Sequence, residues 1–503
     1  MRFALVNLSA MVRFHAERTP ERVAVLYQDQ RISFADLWDR VGRLAGWLQA
    51  KGVGPGQVVA AVMKNSAAFL EYAFAASHLG AVFLPVNYRL AGPEIAYIVD
   101  HAGARLVLAD AEFAPQVEGL PNIALLDEAA QRDCRVLAGR DRAIPPAIAR
   151  TPDDLFRLVY TSGTTDRPKG VMHSYGNFYW KCIDHVLALG LSERDKLLQV
   201  GPLYHVGAFD LPGLAVLWVG GQLVVLRDFA PGAVLEAIAR ERITCAWFAP
   251  VMTGQLLAHE GRARFDLGSF RWCIGGGEKT PEARIRAFTS LFPNARYIDG
   301  YGLTESCSGD TLMEAGREIE KIGSTGRALA HVEIAIRDEA GHTVPAGTVG
   351  EICLRGPKVT KGYWRDPERT AANFFGDWFR TGDVGYLDDE GFLYLTDRKK
   401  DMIISGGENI ASSEIERVIY LLPEVQECAV IGLPDERWGE RPVAILVLKP
   451  GARLDFATFE RHCRAHLGGF KVPREWHLLE SLPRNPSGKI LKRALRESFA
   501  ARR

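Results

Sequence analysis

The sequence carries no net formal charge at pH 7: Lys and Arg total 61, and Asp and Glu total 61. A dedicated nucleic-acid binder shows a basic surplus, so the balance argues against that class. Cysteine is sparse, with eight residues in 503 and no CxxC pair. The twelve histidines show no metal-ligand spacing either, which argues against zinc modules and disulfide scaffolds. Cys245 in TCAWFAP and Cys273 in RWCIGGG sit inside apolar runs and read as buried free thiols of a reducing compartment. Long hydrophobic runs are missing too. The longest uncharged stretches, 72–88 and 211–226, are too short for a membrane span and are broken by Gly and Pro. The opening residues, MRFALVNLSAMVRFHAERTPERV, have no continuous apolar stretch ending at a cleavage site, so a cytoplasmic location is expected.

What is present suits a large soluble enzyme. Apolar residues make up 47%, charged residues 24% and aromatics 10%. At about 150 residues per domain, the length allows roughly three compact units. Ser33-Phe34-Ala35-Asp36 predicts a capped helix whose buried face is Leu37, Val41, Leu44 and Leu48, with Gly52 closing it. Short β-rich runs follow: VVAAVM, GAVFLPV, ARLVLAD, LFRLVY, KLLQVGPLYHV, GQLVVL, TCAWFAP, RWCIGGG and RYIDGYG. Helix-like segments such as 234–243 and 281–292 separate several of them, an alternation that predicts mainly parallel α/β sheets. Turn signals crowd residues 330–396 (DEAGHTVPAGTVG, GYWRDPE, DDEGFLYL) and predict a small antiparallel β-rich unit. After the charge cluster at 397–401 the alternation resumes, which predicts a small α+β C-terminal domain. The expected fold class is therefore α/β, with an N-terminal domain over 1–397 and a C-terminal one over 398–503.

The most informative segment is Tyr160-Thr161-Ser162-Gly163-Thr164-Thr165-Asp166-Arg167-Pro168-Lys169-Gly170, directly after LFRLVY. Hydroxyls, glycine N–H groups and one lysine charge in a short loop suit phosphate binding. The spacing from Gly163 to Lys169 matches a Walker loop. However, Pro168 stands at the second glycine, and Gly170 stands where a metal-binding hydroxyl is needed. A P-loop phosphotransferase is thus argued against. On composition alone, a solvated turn remains an equal alternative.

The string TSGTTxxPKG resembles the phosphate loop of the adenylate-forming superfamily, which comprises acyl-CoA synthetases, aryl-CoA ligases, peptide-synthetase adenylation domains and beetle luciferases. Four further strings resemble the family's motifs in the same order. They are Tyr301-Gly302-Leu303-Thr304-Glu305, Trp378-Phe379-Arg380-Thr381-Gly382-Asp383, Asp397-Arg398-Lys399-Lys400-Asp401 and Pro486-Ser487-Gly488-Lys489. Each alone has a plainer reading as a turn, a solvated linker or a surface lysine. Together they span residues 160–489, and the overall layout covers essentially the whole chain, most like the bacterial fatty-acyl-CoA synthetases.

The resemblance implies ATP, Mg²⁺ and CoA, a small carboxylic acid as substrate, and a mobile C-terminal domain. Thr161, Ser162, Gly163, Thr164, Thr165 and Lys169 would hold the phosphates. Thr304 would contact phosphate and Glu305 would hold Mg²⁺. Gly276, Gly277, Glu278 and Tyr301 would form the adenine side, with Gly302 also at the nucleotide, although relatives often carry small residues and a proline at Glu278 and Lys279. Asp383 would bind the ribose hydroxyls and Arg398 the nucleotide. Lys489 would bridge the substrate carboxylate and the α-phosphate. Lys400 takes the hinge position, and the face around Ser405, Gly406 and Gly407 would help form the thiol tunnel.

The segment Tyr204–Phe209 resembles the family's aromatic-histidine motif, which places His205 beside the substrate carboxylate. Phe209, Trp247, Phe248, Gly276 and Leu303 would line an apolar acyl pocket. Asp210 beside such a pocket is unexpected; local packing is favoured over contact with the substrate. The expected reaction is ATP-dependent, AMP-forming synthesis of an acyl-CoA, with a medium- or long-chain fatty acid first and an aryl acid second. An acyl-AMP ligase loading a carrier protein and an inactive ATP-binding module are the other readings carried. A homodimer is left open, and neither nucleic acid nor an integral membrane segment is expected.

Overall fold

The computed structural model describes residues 7–161, 168–276, 282–398, 401–405, 408–435, 438–469, 471–484 and 490–500. The helix predicted after Ser33 is Phe34–Ala50. The Ser33 hydroxyl accepts from the Asp36 N–H at 3.1 Å, and Leu37, Val41, Leu44 and Leu48 are all buried. Gly52 follows at φ +78°, a conformation that costs a glycine little. The fold divides into two compact units: Met1–Glu320 with Gly326–Glu333 and Arg355–Phe379, and Lys321–Thr325 with Ile334–Leu354 and Arg380–Arg503.

The first unit holds two sheets. A six-stranded sheet runs in the order Ile123–Leu126, Ala104–Asp110, Val58–Val62, Val82–Pro85, Leu155–Thr161, Lys169–Ser174. Its strands are parallel except the last, which folds back on Leu155–Thr161 and sets Lys169 opposite Thr161. A nine-stranded sheet has a parallel centre formed by Arg296–Tyr301, Trp272–Gly276, Cys245–Phe248, Lys196–Gln199, Gln222–Val225 and Val23–Tyr27. Five of these six follow the predicted β-rich runs, with KLLQVGPLYHV strand only over Lys196–Gln199, whereas Val23–Tyr27 was not expected.

Helix Ala67–His78 is buried at every residue and contacts strands of both sheets. A helix that is apolar all round belongs in such a position. Its one charge, Glu71, is fully buried and accepts from Arg40 Nη1 at 3.2 Å and from the Cys134 N–H at 3.1 Å. Burial pushes the Glu71 carboxyl up, and the Arg40 charge opposes that shift.

The second unit contains most of an antiparallel sheet that includes Gly350–Arg355, Trp378–Leu387 and Leu393–Arg398. Another sheet is built on the long pair Val425–Asp435 and Gly439–Leu448. Strand alternation sends Cys428, Val430, Ala444 and Leu446 to one face, against helices Ser412–Ile419 and Phe456–His466. Ala429, Ile431, Val443 and Ile445 go to the other, against Lys492–Ala500. The sequence reading grouped all of 330–396 with the N-terminal residues. In the structure, 334–354 and 380–396 group with the C-terminal ones. The physical reason is continuity: Leu393–Arg398 pairs with Trp378–Leu387, and the Ser413 hydroxyl donates to the Thr396 carbonyl. All eight cysteines are buried free thiols. Among the described residues no helix is long and apolar enough to cross a membrane.

Candidate active site

In the nine-stranded sheet, four parallel strands deliver sequence-predicted residues at their carboxyl ends. Lys196–Gln199 leads into Gly201–His205, Cys245–Phe248 carries Trp247, Trp272–Gly276 ends on Gly276, and Arg296–Tyr301 leads into Gly302–Glu305. The carboxyl edge of an open parallel sheet is where such folds bind ligands. Gly302 is required there, because a Cβ would lie 2.2 Å from the Gly309 nitrogen. The chain then turns sharply through Cys307, Ser308 and Gly309, all at positive φ, which fixes the Glu305 turn tightly.

The structure brings Lys169 and Glu305 together. Lys169 Nζ lies 3.1 Å from Glu305 Oε1 and donates to the Tyr363 hydroxyl at 2.7 Å. That hydroxyl donates to Glu305 Oε1 at 3.0 Å, and the ammonium also sits over the Tyr363 ring, 4.2 Å from its centroid. Burial first, and the adjacent Glu305 charge second, push the Tyr363 phenol far up, so it remains a donor. Sequence reasoning missed Tyr363, because GYWRDPE registered only as turn signals. Nearby, Thr161 Oγ1 is buried with no hydrogen-bond partner among the described residues. An orphaned hydroxyl, a lysine and a carboxylate at one edge suit a nucleotide phosphate with Mg²⁺. Among the described residues no three metal-binding side chains cluster, so an ion held here would take Glu305 and phosphate oxygens.

Behind this edge runs a buried polar relay. Arg157, in the middle of an apolar strand, donates to Asp210 Oδ2 at 2.6 Å and to His173 Nδ1 at 2.8 Å. His173 Nε2 therefore carries the proton and donates to the Thr304 carbonyl at 2.6 Å. Burial, then the Arg157 charge, hold the imidazole well below its ordinary pKa, so it is neutral. Lys181 Nζ lies 3.6 Å from Asp210 Oδ1 and donates to the Asp210 carbonyl at 3.2 Å. Asp210 thus packs locally, as favoured from sequence. The arginine inside LFRLVY was the available signal, since a buried charge needs a partner.

The acyl residues separate into two groups. His205 Nδ1 accepts from the Gly207 N–H at 3.0 Å, capping a short helix, and its ring stacks on Trp247 with centroids 6.4 Å apart. The indole lies so close to Gly201 and Gly207 that a Cβ on either would meet it at 2.6 and 2.7 Å. Gly276 and Leu303 are partly exposed at the same edge. Phe209 and Phe248, expected in the pocket lining, lie in the core instead. Phe209 packs on Phe69 and Phe83 and under Arg157, and Phe248 packs on Phe270. For Phe248 the reason is strand alternation, which sends neighbouring Trp247 to the opposite face.

In the second unit, register pairs Asp383 with Arg398, and the Thr381 hydroxyl accepts from the Asp383 N–H at 3.0 Å. Ser405 ends a strand paired with Glu408–Ile410. The remaining expected site residues, Ser162, Gly163, Thr164, Thr165, Gly277, Glu278, Lys400, Gly406, Gly407 and Lys489, lie outside the described residues, as does the Arg398 side chain.

A family model described as AMP-binding enzyme matches residues 12–364, and one described as AMP-binding enzyme C-terminal domain matches 414–489. The chain belongs to the AMP-binding enzyme family. It is 38% identical over 487 residues to a feruloyl-CoA synthase of Amycolatopsis, covering 96% of this chain and 97% of that one. It is 36% identical over 502 residues to a long-chain-fatty-acid–CoA ligase of Mycobacterium tuberculosis, covering 98% and 99%. Solved structures of o-succinylbenzoate-CoA synthetase from Bacillus subtilis align closely at 31% identity. One, holding an acyl-adenylate, covers 98% of each chain with a TM-score of 0.87. Another, with ATP and magnesium, covers 96% and 98% with a TM-score of 0.86. This AMP-binding enzyme is accordingly an ATP-dependent, AMP-forming acid–thiol ligase that uses ATP, Mg²⁺ and CoA.

Proposed function

We propose that this ligase activates an aromatic monocarboxylic acid, an arylpropenoic acid of the ferulate type being the best fit, and passes it to CoA. The observation that carries the reading is the Trp247 indole, which lies against Gly201 and Gly207 and stacks with His205. Trp247 remains partly exposed at that edge and would give the acyl site a flat aromatic wall, against which a planar ring gains contact and stacking energy. The identity to feruloyl-CoA synthase agrees with this. A fatty acid, placed first on sequence, is the second reading and draws on the identity to the long-chain ligase. A second substrate carboxylate is disfavoured, because the nearby Arg157 and Lys181 are both paired with Asp210.

The substrate carboxylate is already an ionised nucleophile at pH 7 and needs no base. Its oxygen bonds to the α-phosphorus of ATP, and pyrophosphate leaves. A thiolate of CoA then attacks the acyl carbon, and AMP leaves. The protein contributes positioning and charge neutralisation. Thr161, Lys169 and the hydroxyls of 162–165 hold phosphates, and Glu305 is the carboxylate for Mg²⁺. The ion supplies charge neutralisation at the phosphate oxygens. Gly276, Gly277, Glu278 and Tyr301 flank adenine, while Gly302, Asp383 and Arg398 hold the ribose and nucleotide. Thr304 contacts phosphate, His205 flanks the reacting carboxylate, and Lys489 bridges that carboxylate to the α-phosphate. Lys400 serves as hinge, and Ser405, Gly406 and Gly407 border the thiol path.

Thioester formation is measured with MgATP and CoA across arylpropenoic, arylacetic, C8–C16 and dicarboxylic acids. The expected result is kcat/KM at least about tenfold higher for arylpropenoic acids than for any fatty acid, the scale of about 1.4 kcal/mol of pocket contact. A maximum at C12–C16 would replace this reading with the second.

A further inference from the structure

The site's cation and anion neutralise each other without nucleotide, and one hydroxyl touches both. A bound polyphosphate competes with Glu305 for the Lys169 ammonium. When a polyphosphate takes the ammonium, the Glu305 carboxylate loses its counter-charge just as it must present an oxygen to Mg²⁺. The Tyr363 hydroxyl is the contact that survives this exchange, since its bond to Oε1 at 3.0 Å does not involve the lysine.

We propose that Tyr363 is a positioning residue for the metal ligand: its hydroxyl holds the Glu305 carboxylate for Mg²⁺ once Lys169 turns to phosphate. The inference rests on the roles proposed above for Lys169 and Glu305. Tyr363 is built into its place from several sides. The Tyr363 N–H donates to Thr370 Oγ1 at 3.0 Å, and the Thr370 hydroxyl donates onward to the Asp366 carbonyl at 2.8 Å. On one side of Tyr363, the Trp364 N–H donates to the Gly170 carbonyl at 2.8 Å, tying the segment to the strand of Lys169. On the other, the Thr360 N–H donates to the Glu305 carbonyl at 2.6 Å, tying it to the turn of the carboxylate. The ring is buried, so the hydroxyl has little freedom to leave. Partners that orient a metal ligand commonly matter for metal affinity by 10–100-fold.

The test is Tyr363→Phe, which keeps the ring under the Lys169 ammonium and removes only the hydroxyl. Binding of a non-hydrolysable ATP analogue is measured by calorimetry as a function of Mg²⁺ and again in excess chelator. The expected result is an increase of about tenfold in the Mg²⁺ needed for half-maximal binding, with chelator-phase affinity unchanged. Adding Tyr363→Phe to Glu305→Gln produces no further change. An unaltered Mg²⁺ requirement in Tyr363→Phe, with a raised one in Glu305→Gln, overturns this proposal alone. An unaltered requirement in Glu305→Gln itself overturns the reading of Glu305 as the metal ligand. If Tyr363→Phe weakens the chelator-phase binding instead, the hydroxyl acts on Lys169 and the proposal fails.

Discussion

Asp210→Ala is expected to lower the stability of the first unit by about 3–5 kcal/mol, the cost of leaving buried charge without its partner. The carboxylate sits between Arg157 and Lys181, and none of the three side chains reaches solvent appreciably. Removing it leaves two cations in an apolar interior without a counter-charge, held by the residue 210 carbonyl, the His173 ring and the faces of Phe178 and Phe209. Whole domains are stable by about 5–15 kcal/mol, so the loss is a large fraction of the total. The check is urea unfolding followed by the fluorescence of tryptophans in the first unit, where a lower midpoint with an unchanged slope is the expected outcome. A change below about 1 kcal/mol would mean that solvent reaches the pair and that the relay is not a buried one. The same relay ends on the Thr304 carbonyl, so its disruption also loosens the turn that presents Glu305.

Lys489→Ala is expected to slow acyl-adenylate formation by on the order of 100-fold or more, the usual loss when a donor aimed at transition-state charge is removed. Negative charge gathers between the attacking carboxylate and the α-phosphate, and Lys489 is proposed to bridge the two. The thiol step has no such requirement. Given preformed acyl-AMP and CoA, the variant is therefore expected to make thioester at a rate near that of the unaltered enzyme. Stopped-flow release of pyrophosphate separates the first step, and thioester absorbance follows the second. Equal losses in both would place Lys489 in general nucleotide binding instead.

The fold was largely legible because period and punctuation carry it. Ser33 and Gly52 bound the helix they were expected to bound, and ARLVLAD is a strand over its full length. The division into units was less legible. Turn signals in 330–396 revealed a β-rich segment but not which neighbours its strands would pair with, since pairing is a long-range choice. At the site, the ordered motifs located Lys169 and Glu305, which the structure places in contact. Tyr363 stayed hidden, because a tyrosine in a turn-rich string looks the same whether its hydroxyl faces solvent or a carboxylate. Phe209 and Phe248 went the other way: their apolar character was read correctly, but strand and helix geometry turned them into the core. Arg157 was visible as a charge inside a strand, and following that charge to a partner would have found Asp210.

The claim on which the account turns is that the Trp247 wall selects a planar aromatic acid. It is tested most directly by crossing enzyme with substrate, measuring kcat/KM of the unaltered enzyme and of Trp247→Ala with ferulate and with hexadecanoate. Loss of the indole should cost ferulate roughly tenfold or more, given about 1–3 kcal/mol for a lost pocket contact, and leave hexadecanoate unchanged or improved. Parallel losses for both acids, or a preference for hexadecanoate in the unaltered enzyme, would contradict it.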